Sequence, residues 1–120
     1  MKASEFLVDA KRHIDSPEKW TQGFFAADNR GQEVSYASMH ATCFCSLGAL
    51  RLSAYRHKDT WGDLNLNTIS REYLRSAVEV CHQGFSSIIS DFNDCHTHEE
   101  VMEVWDLAIK LALADEEGSL

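Results

Sequence analysis

Residues 36–56 read YASMHATCFCSLGALRLSAYR and carry the clearest helical pattern inside this 120-residue chain. Apolar side chains recur there every three or four residues, which predicts an amphipathic helix. Ser35 stands just before the segment and is placed to cap that helix. The residues on the apolar side are Met39, Cys43, Leu47, Leu50 and Ala54.

Three small residues, Cys45, Gly48 and Ala49, share one face of this predicted helix because they stand at positions i, i+3 and i+4. A glycine inside a helix costs about 1 kcal/mol relative to alanine. We therefore expect the backbone of another segment, or a large ring, to pack closely against Gly48. Residues 36–56 become the expected central helix, with Cys45 as a packing residue in its interior.

The same spacing predicts three more helices, so the expected fold is all-α, a bundle of four main helices. These helices cover residues 4–15, 70–90 and 98–114. Ser4 is a plausible cap for the first of them. A short turn-helix is expected between Ser16 and Trp20, because Pro17 suits the first helical position.

Turn residues predict the connections between these helices. Asp28 and Gly31 have the chemistry of a tight turn, which favours a small β-hairpin over residues 24–34, with a long loop as the alternative. Residues 57–69 and 91–96 are expected to be non-helical connections.

The last predicted helix has the clearest start signal in the chain. Thr97 and Glu100 match a capping box, in which each side chain bonds the backbone of the other residue. We expect residues 1–114 to form a single helical domain and residues 115–120 to be a frayed acidic tail.

The net charge of −8 comes from the last quarter of the sequence. Residues 91–120 hold nine acidic residues against Lys110 alone, while ten acidic and ten basic residues balance in residues 1–90. A surface of one sign attracts basic partners and repels nucleic acid and anionic lipid. This argues against direct nucleic-acid binding and predicts a protein partner. The expected contact residues are Glu99, Glu103 and Asp106, or Trp61 in the loop 57–69.

The expected setting is the cytoplasm. No apolar run approaches the ~20 residues that cross a bilayer. The first residues mix both charge signs, unlike a signal peptide. In that compartment the four cysteines, which are Cys43, Cys45, Cys81 and Cys95, are expected to be reduced.

A zinc site is the first candidate chemistry. Zinc needs about four converging ligands, and Cys43 and Cys45 would point about 200° apart on a helix. Cys95, His96 and His98 could converge at the start of the last helix, but the usual spacing of cysteine pairs is absent. The sequence therefore predicts no metal site and no cofactor.

A cysteine nucleophile is the second candidate. Cys45 with a histidine and Asn93 would copy a Cys/His/Asn arrangement. A reactive thiolate needs partial exposure and a positive environment such as a helix N-terminus. Because Cys45 falls inside the predicted helix, we expect no catalytic residue there.

Paired carboxylates are the third candidate. Asp91 and Asp94 could work as an acid and base or bind Mg²⁺ with the glutamates that follow. Acidic residues in the first turns of a helix also stabilise it through its dipole. We favour a structural role, in which Asn93 and Asp94 form a turn that receives the indole N–H of Trp20.

Three short segments occur together in a characteristic order: W-x-Q-G at residues 20–23, C-x-x-G-A-L at 45–50 and F-N-D at 92–94. This order resembles a family of small proteins of unknown function from bacteria and their phages, over residues 14–112. That family usually has Gly or Pro shortly after Asn-Asp, whereas Cys95 and His96 follow here. The resemblance implies a fold type and a bacterial or phage setting. Its structural residues would be Trp20, Gly23, Gly31, Cys45, Gly48, Ala49, Asn93 and Asp94.

Taken together, the sequence favours a non-enzymatic bacterial or phage accessory protein that binds another protein through its acidic surface. The alternative is a small cysteine- or metal-dependent hydrolase that uses Cys45 and the Asn93–Asp94 turn. Self-association through apolar surface is a third hypothesis.

Overall fold

The computed structural model describes residues 2–58, 65–84 and 88–118. These residues are mostly helical, with one small antiparallel sheet of two strands. Among them, no helix combines the length and the apolar character needed to cross a membrane. The elements are α1 (Ala3–Lys11), a 3₁₀ turn (Pro17–Lys19), β1 (Ala26–Ala27), β2 (Cys43–Phe44), α2 (Ser46–Arg56), α3 (Asn65–Cys81), α4 (Ile89–Cys95) and α5 (His98–Gly118).

The core forms where α1 and α5 pack against the other helices. α1 contacts α2, α3 and α5, and α5 also contacts α3 and α4. Trp105 of α5 is fully buried, as are Leu7 of α1 and Leu50 of α2. Each large apolar side chain buried in this way contributes roughly 1.5–3 kcal/mol.

The helix predicted over residues 36–56 begins only at Ser46. Residues 43–44 instead form β2, which pairs with β1. The backbone N–H of Cys45 donates to the Phe25 carbonyl at 3.2 Å, so it bonds another segment rather than an earlier helical turn. Cys45 is therefore the N-cap of α2, and its predicted place inside the helix is wrong. Ser35 is not the cap of α2, because that helix begins at Ser46; its Oγ accepts from the nearby Ala37 N–H.

The turn predicted at Asp28–Gly31 is confirmed, while the hairpin around it is minimal. Gly31 donates its N–H to the Asp28 carbonyl at 3.0 Å and has φ +80°, which suits glycine. Beyond the turn, Ala27 and Glu33 share a single β-bridge. The sheet partner of β1 is β2, which the sequence placed in a helix.

Two helix boundaries differ from the predictions. α3 begins at Asn65, so it takes in part of the predicted loop 57–69, and it ends at Cys81 rather than near residue 90. α4 occupies residues 89–95, where a non-helical connection was expected. Asn and Asp favour turns when they bond their own backbone, but here Asn93 bonds distant segments instead.

The last helix extends beyond residue 114, its predicted end. α5 continues to Gly118, because two of its last carboxylates bind other helices. Tyr73 donates to Asp115 at 2.8 Å, and the Oγ of Ser4 donates to Glu116 at 2.7 Å. Ser4 lies inside α1, whose N-cap is Lys2, so its predicted capping role is wrong. At the start of α5 the capping box is confirmed, since the Glu100 N–H donates to the Thr97 Oγ1 at 3.2 Å.

Candidate functional site

A buried hydrogen-bonded junction is centred on Asn93 of α4, which is 1% exposed. Its Oδ1 accepts from the Trp20 Nε1 at 2.8 Å, from the Ser46 N–H at 3.0 Å and from the Ser46 Oγ at 2.9 Å. The Ser46 Oγ in turn accepts from the Trp105 Nε1 at 3.1 Å. The predicted bond between Trp20 and Asn93 is confirmed, and one amide oxygen joins α4 to the start of α2 and to the segment after the 3₁₀ turn.

The other polar atoms of Asn93 bind the segment that follows Trp20. Its Nδ2 donates to the Thr21 carbonyl at 3.0 Å, and its own carbonyl accepts from the Gln22 Nε2 at 3.1 Å. Gly23, with φ +85°, donates its N–H to the Asp94 Oδ1 at 3.0 Å. Both ends of the Asn93 amide are thus bonded, which is how buried polar groups avoid a desolvation cost. We call this set the Asn93 junction: Trp20, Gln22, Gly23, Ser46, Asn93 and Asp94.

Next to the junction, the first turn of α2 packs on the backbone of Phe25. A Cβ added at Gly48 would lie 1.9 Å from the Phe25 carbonyl oxygen and 2.8 Å from its carbonyl carbon. The close approach of a neighbouring backbone to Gly48 is therefore confirmed. Ala49 beside it is fully buried. The Cys45 Sγ accepts from the Gly48 N–H at 3.3 Å and so caps α2.

The environment of Cys45 does not favour a nucleophile. Its thiol lies at a shallow cavity of about 140 Å³ that Ser90 and Asp94 also line. Burial raises the pKa of the Cys45 thiol, the Asp94 charge raises it further, and the hydrogen bond from Gly48 opposes the rise only in part. A thiol with a raised pKa stays protonated near neutral pH and reacts slowly. With the Asn93 amide already bonded, the site is suited to holding segments together rather than to acyl transfer.

All three sequence motifs contribute to the Asn93 junction and its surroundings: W-x-Q-G, C-x-x-G-A-L and F-N-D. A family of unknown function, DUF6197, matches residues 1–111, which include the whole junction. The chain belongs to DUF6197. No curated protein and no solved structure matches it. The DUF6197 match takes in α1 to α4 and most of α5.

In this DUF6197 member the predicted acidic contact residues have different surroundings. Glu99 and Glu103 are exposed and stand one turn apart on α5. Asp106 is also exposed, but its Oδ1 accepts from the Lys11 Nζ at 2.6 Å, which ties α5 to α1. Trp61 lies outside the described residues, so its place on the surface stays a prediction.

Three of the residues considered for zinc bond different parts of the fold. The His98 Nε2 lies 2.7 Å from the Ile14 carbonyl, whereas the His96 Nδ1 lies 2.9 Å from the Phe92 carbonyl. The Cys43 Sγ lies 3.7 Å from the Ala27 carbonyl, on the sheet. His96 instead comes close to His82 and Glu100, which no sequence motif groups with it. No local pattern could have indicated this, since His82 follows a different helix.

Proposed function

We propose that this DUF6197 member is a non-enzymatic binding protein that takes a basic protein partner on its acidic face, which we define as Glu99, Glu103 and Asp106. The observation that carries the proposal is the pair Glu99 and Glu103, exposed one turn apart on α5. Two carboxylates at this spacing present adjacent negative charge to a partner that carries lysines or arginines.

The use of the motif residues supports a binding role over an enzymatic one. Asn93 and Ser46 bond each other and their neighbours inside the fold, and the Cys45 thiol is 5% exposed. The groups that a cysteine hydrolase would need are thereby occupied by structural contacts. The acidic face, in contrast, is exposed and can contact another protein.

Electrostatics sets what kind of complex to expect. Exposed ion pairs contribute only about 0–1 kcal/mol each, and charges in 0.15 M salt are screened beyond about 8 Å. Complementary charge therefore increases the association rate and the specificity more than the affinity. We expect a complex that forms quickly at low salt and weakens as salt is added.

The resemblance of the three motifs supports a bacterial cytoplasm, or that of a phage-infected host, as the place to look for the partner. Within such an extract, the partner is recognised by its chemistry, namely a basic surface with lysines able to reach Glu99 and Glu103. Both carboxylates can be coupled directly to such lysines.

A zero-length carbodiimide cross-linking experiment tests the proposal. The full chain is added to bacterial extract at low salt, and cross-linked peptides are sequenced by mass spectrometry. We expect Glu99 or Glu103 joined to lysines of one protein, and loss of that product in E99Q/E103Q. The control E79Q/E117Q removes two exposed carboxylates from elsewhere and should keep it.

The purified partner then gives an affinity measurement. E99K/E103K should weaken binding by about tenfold or more, which corresponds to ~1.4 kcal/mol. The charge-matched control E79K/E117K should change it much less. Cross-links spread evenly over all exposed acidic residues, or equal losses in both variants, would overturn the proposal.

A further inference from the structure

Three potential metal ligands meet where the ends of three helices come together. His82 directly follows α3, His96 caps the end of α4 and Glu100 lies in the first turn of α5. The candidate ligand atoms of the three side chains all lie within 4.8 Å of one another. All three residues are partly buried, at the surface rather than in the core.

The hydrogen bond of His96 sets which ring nitrogen can bind a cation. Its Nδ1 lies 2.9 Å from the carbonyl oxygen of Phe92, and a carbonyl only accepts. Nδ1 therefore carries the hydrogen, and the lone pair of the neutral ring is on Nε2. Metal-bound histidines commonly donate their other ring N–H to a backbone carbonyl in this way. Gln22 of the Asn93 junction also donates to the His96 carbonyl at 3.0 Å, which holds the backbone of His96 in place.

A buried phenylalanine aligns the two imidazole rings. The Phe92 ring stacks on that of His96 with centroids 3.9 Å apart and an interplanar angle of 15°. The His82 ring lies 4.8 Å from the Phe92 ring and 4.8 Å from the His96 ring. Because Phe92 is only 2% exposed, it provides a fixed surface for both rings. Two neighbouring imidazoles held in this way are preorganised to share one cation.

Glu100 supplies an ionised oxygen ligand beside the rings. Its Oε1 accepts from the Thr97 N–H at 3.0 Å and from the Thr97 Oγ1 at 3.1 Å. A glutamate at the protein surface is ionised near neutral pH. A carboxylate has about four lone-pair positions, and the cap leaves acceptor capacity for a cation.

We propose that His82, His96 and Glu100 bind one divalent transition-metal ion, with Zn²⁺ as the expected ion. Two imidazole nitrogens and one carboxylate oxygen are a common zinc ligand set, and three protein ligands leave a fourth position for water or for a side chain of another molecule. Tetrahedral zinc with ligands about 2.0–2.1 Å away holds them ~3.4 Å apart. Because the three atoms now lie within 4.8 Å of one another, reaching that spacing requires the partly exposed His82 and Glu100 side chains to rotate towards His96.

Binding of the ion would join α3, α4 and α5 at one point without using any side chain of the acidic face. It needs no partner protein, so it can be tested on the isolated chain. Failure of the acidic face to bind a partner and failure of this site to bind metal are therefore separate results.

The experiment uses the full chain without a histidine tag, stripped of metal with a chelator. Zn²⁺ alone is titrated by calorimetry, and Co²⁺ alone is titrated with detection of its visible absorption bands. We expect one ion per chain, and visible Co²⁺ absorption bands typical of a four-coordinate ion. The variants are H82Q and E100Q, and E100Q keeps the capping box because glutamine also serves at that position.

Matched controls separate the proposed ligands from their neighbours. E99Q removes the adjacent carboxylate, and H40Q removes an exposed imidazole in another part of the chain. H82Q and E100Q should each weaken Zn²⁺ binding at least about tenfold. Even the mutation of a residue that only hydrogen-bonds a metal ligand typically lowers the metal affinity by about 10–100-fold. Both controls should bind as the unmodified chain does.

The proposal is overturned by a stoichiometry below one ion per chain, by unchanged binding in E100Q, or by equal losses in the controls. Circular dichroism of the metal-free variants shows whether each one is folded. If H82Q fails to fold, E100Q alone decides the result.

Discussion

Gly48 and Phe25 are in direct main-chain contact, because the Phe25 carbonyl oxygen occupies the space where a Cβ of residue 48 would lie. The same oxygen accepts the Cys45 N–H at 3.2 Å. One carbonyl group thus fixes both the end of β2 and the first turn of α2. This contact explains why α2 begins at Ser46 and why glycine stands in its first turn.

G48A is expected to destabilise the protein by about 3 kcal/mol, because the backbone of Phe25 must move to admit the methyl group. In an ordinary helix position the same change stabilises the protein by up to about 1 kcal/mol. The sign of the change in the free energy of unfolding therefore shows whether the Phe25 backbone is in contact with residue 48. Chemical denaturation followed by circular dichroism measures it. G118A is the control, since nothing lies within 4 Å of its added Cβ. A G48A protein as stable as the parent would contradict the close contact.

N93A is expected to cost about 3–5 kcal/mol. It leaves the Trp20 N–H and the Ser46 N–H and O–H without their acceptor, and each buried donor so orphaned costs roughly 1–3 kcal/mol. The control N29A changes an exposed asparagine in the Asp28–Gly31 turn and should alter stability by less than about 0.5 kcal/mol. Similar urea midpoints for the two variants would show that the Asn93 junction contributes little.

Stability is expected to fall as the pH drops below the ordinary histidine range, in part through His13. Burial, and then the charge of Arg56, lowers the pKa of His13 in the folded state. The unfolded chain therefore takes up the proton first, at about pH 6.5. The contribution of His13 is present above that pH and is lost as the pH falls towards its folded pKa.

Denaturation curves at several pH values between 5 and 8 measure this effect. H13Q should flatten the part of the pH dependence that lies below about 6.5. The carboxylates with lowered pKa, such as Asp15 beside Lys19, lose their contribution only at lower pH. An unchanged slope in H13Q would show that another group is responsible.

Alkylation of the native protein should leave Cys45 until last. Cys81 and Cys95 are exposed, while Cys45 is buried and therefore shielded from the reagent. Desolvation raises the pKa of both the Cys45 and the Cys81 thiols, so the difference in exposure decides the order. We expect iodoacetamide to modify Cys45 at least about tenfold more slowly than either exposed thiol. Peptide mass spectrometry over time gives the rates. Fastest modification at Cys45 would favour the hydrolase hypothesis over the binding role.

The features that could be predicted from the sequence depend on local chemistry. The capping box of Thr97 and Glu100 and the turn at Asp28–Gly31 are determined by neighbouring residues, and both are present. Gly48 of α2 indicated the close approach of another backbone. Glycine lowers the stability of a helix relative to alanine, so its presence there suggested that a larger side chain would not fit. The hydrogen bond between Trp20 and Asn93 was predicted from a turn at Asn93 and Asp94. The bond is present, but these two residues lie in a helix.

The features that could not be predicted depend on distant contacts. The periodicity of residues 36–45 is that of a helix, but residues 42–45 bond the backbone of β1 and its neighbour Phe25, which no local pattern shows. α4 carries turn-forming residues and is helical because Asn93 and Asp94 bond segments about seventy residues earlier. The meeting of His82 with His96 and Glu100 requires the packing of three helix ends.

The position of Asn93 and Trp105 in the chain has a consequence for synthesis on the ribosome. Ser46 bonds both residues, yet both are translated only after α1, α2 and α3 have been made. Until α4 and α5 emerge, the nascent polypeptide holds Trp20 and the apolar sides of its first helices without the surfaces that cover them. Folding of this domain therefore cannot be completed before α5 has been made, and until then the earlier helices keep part of their apolar surface exposed.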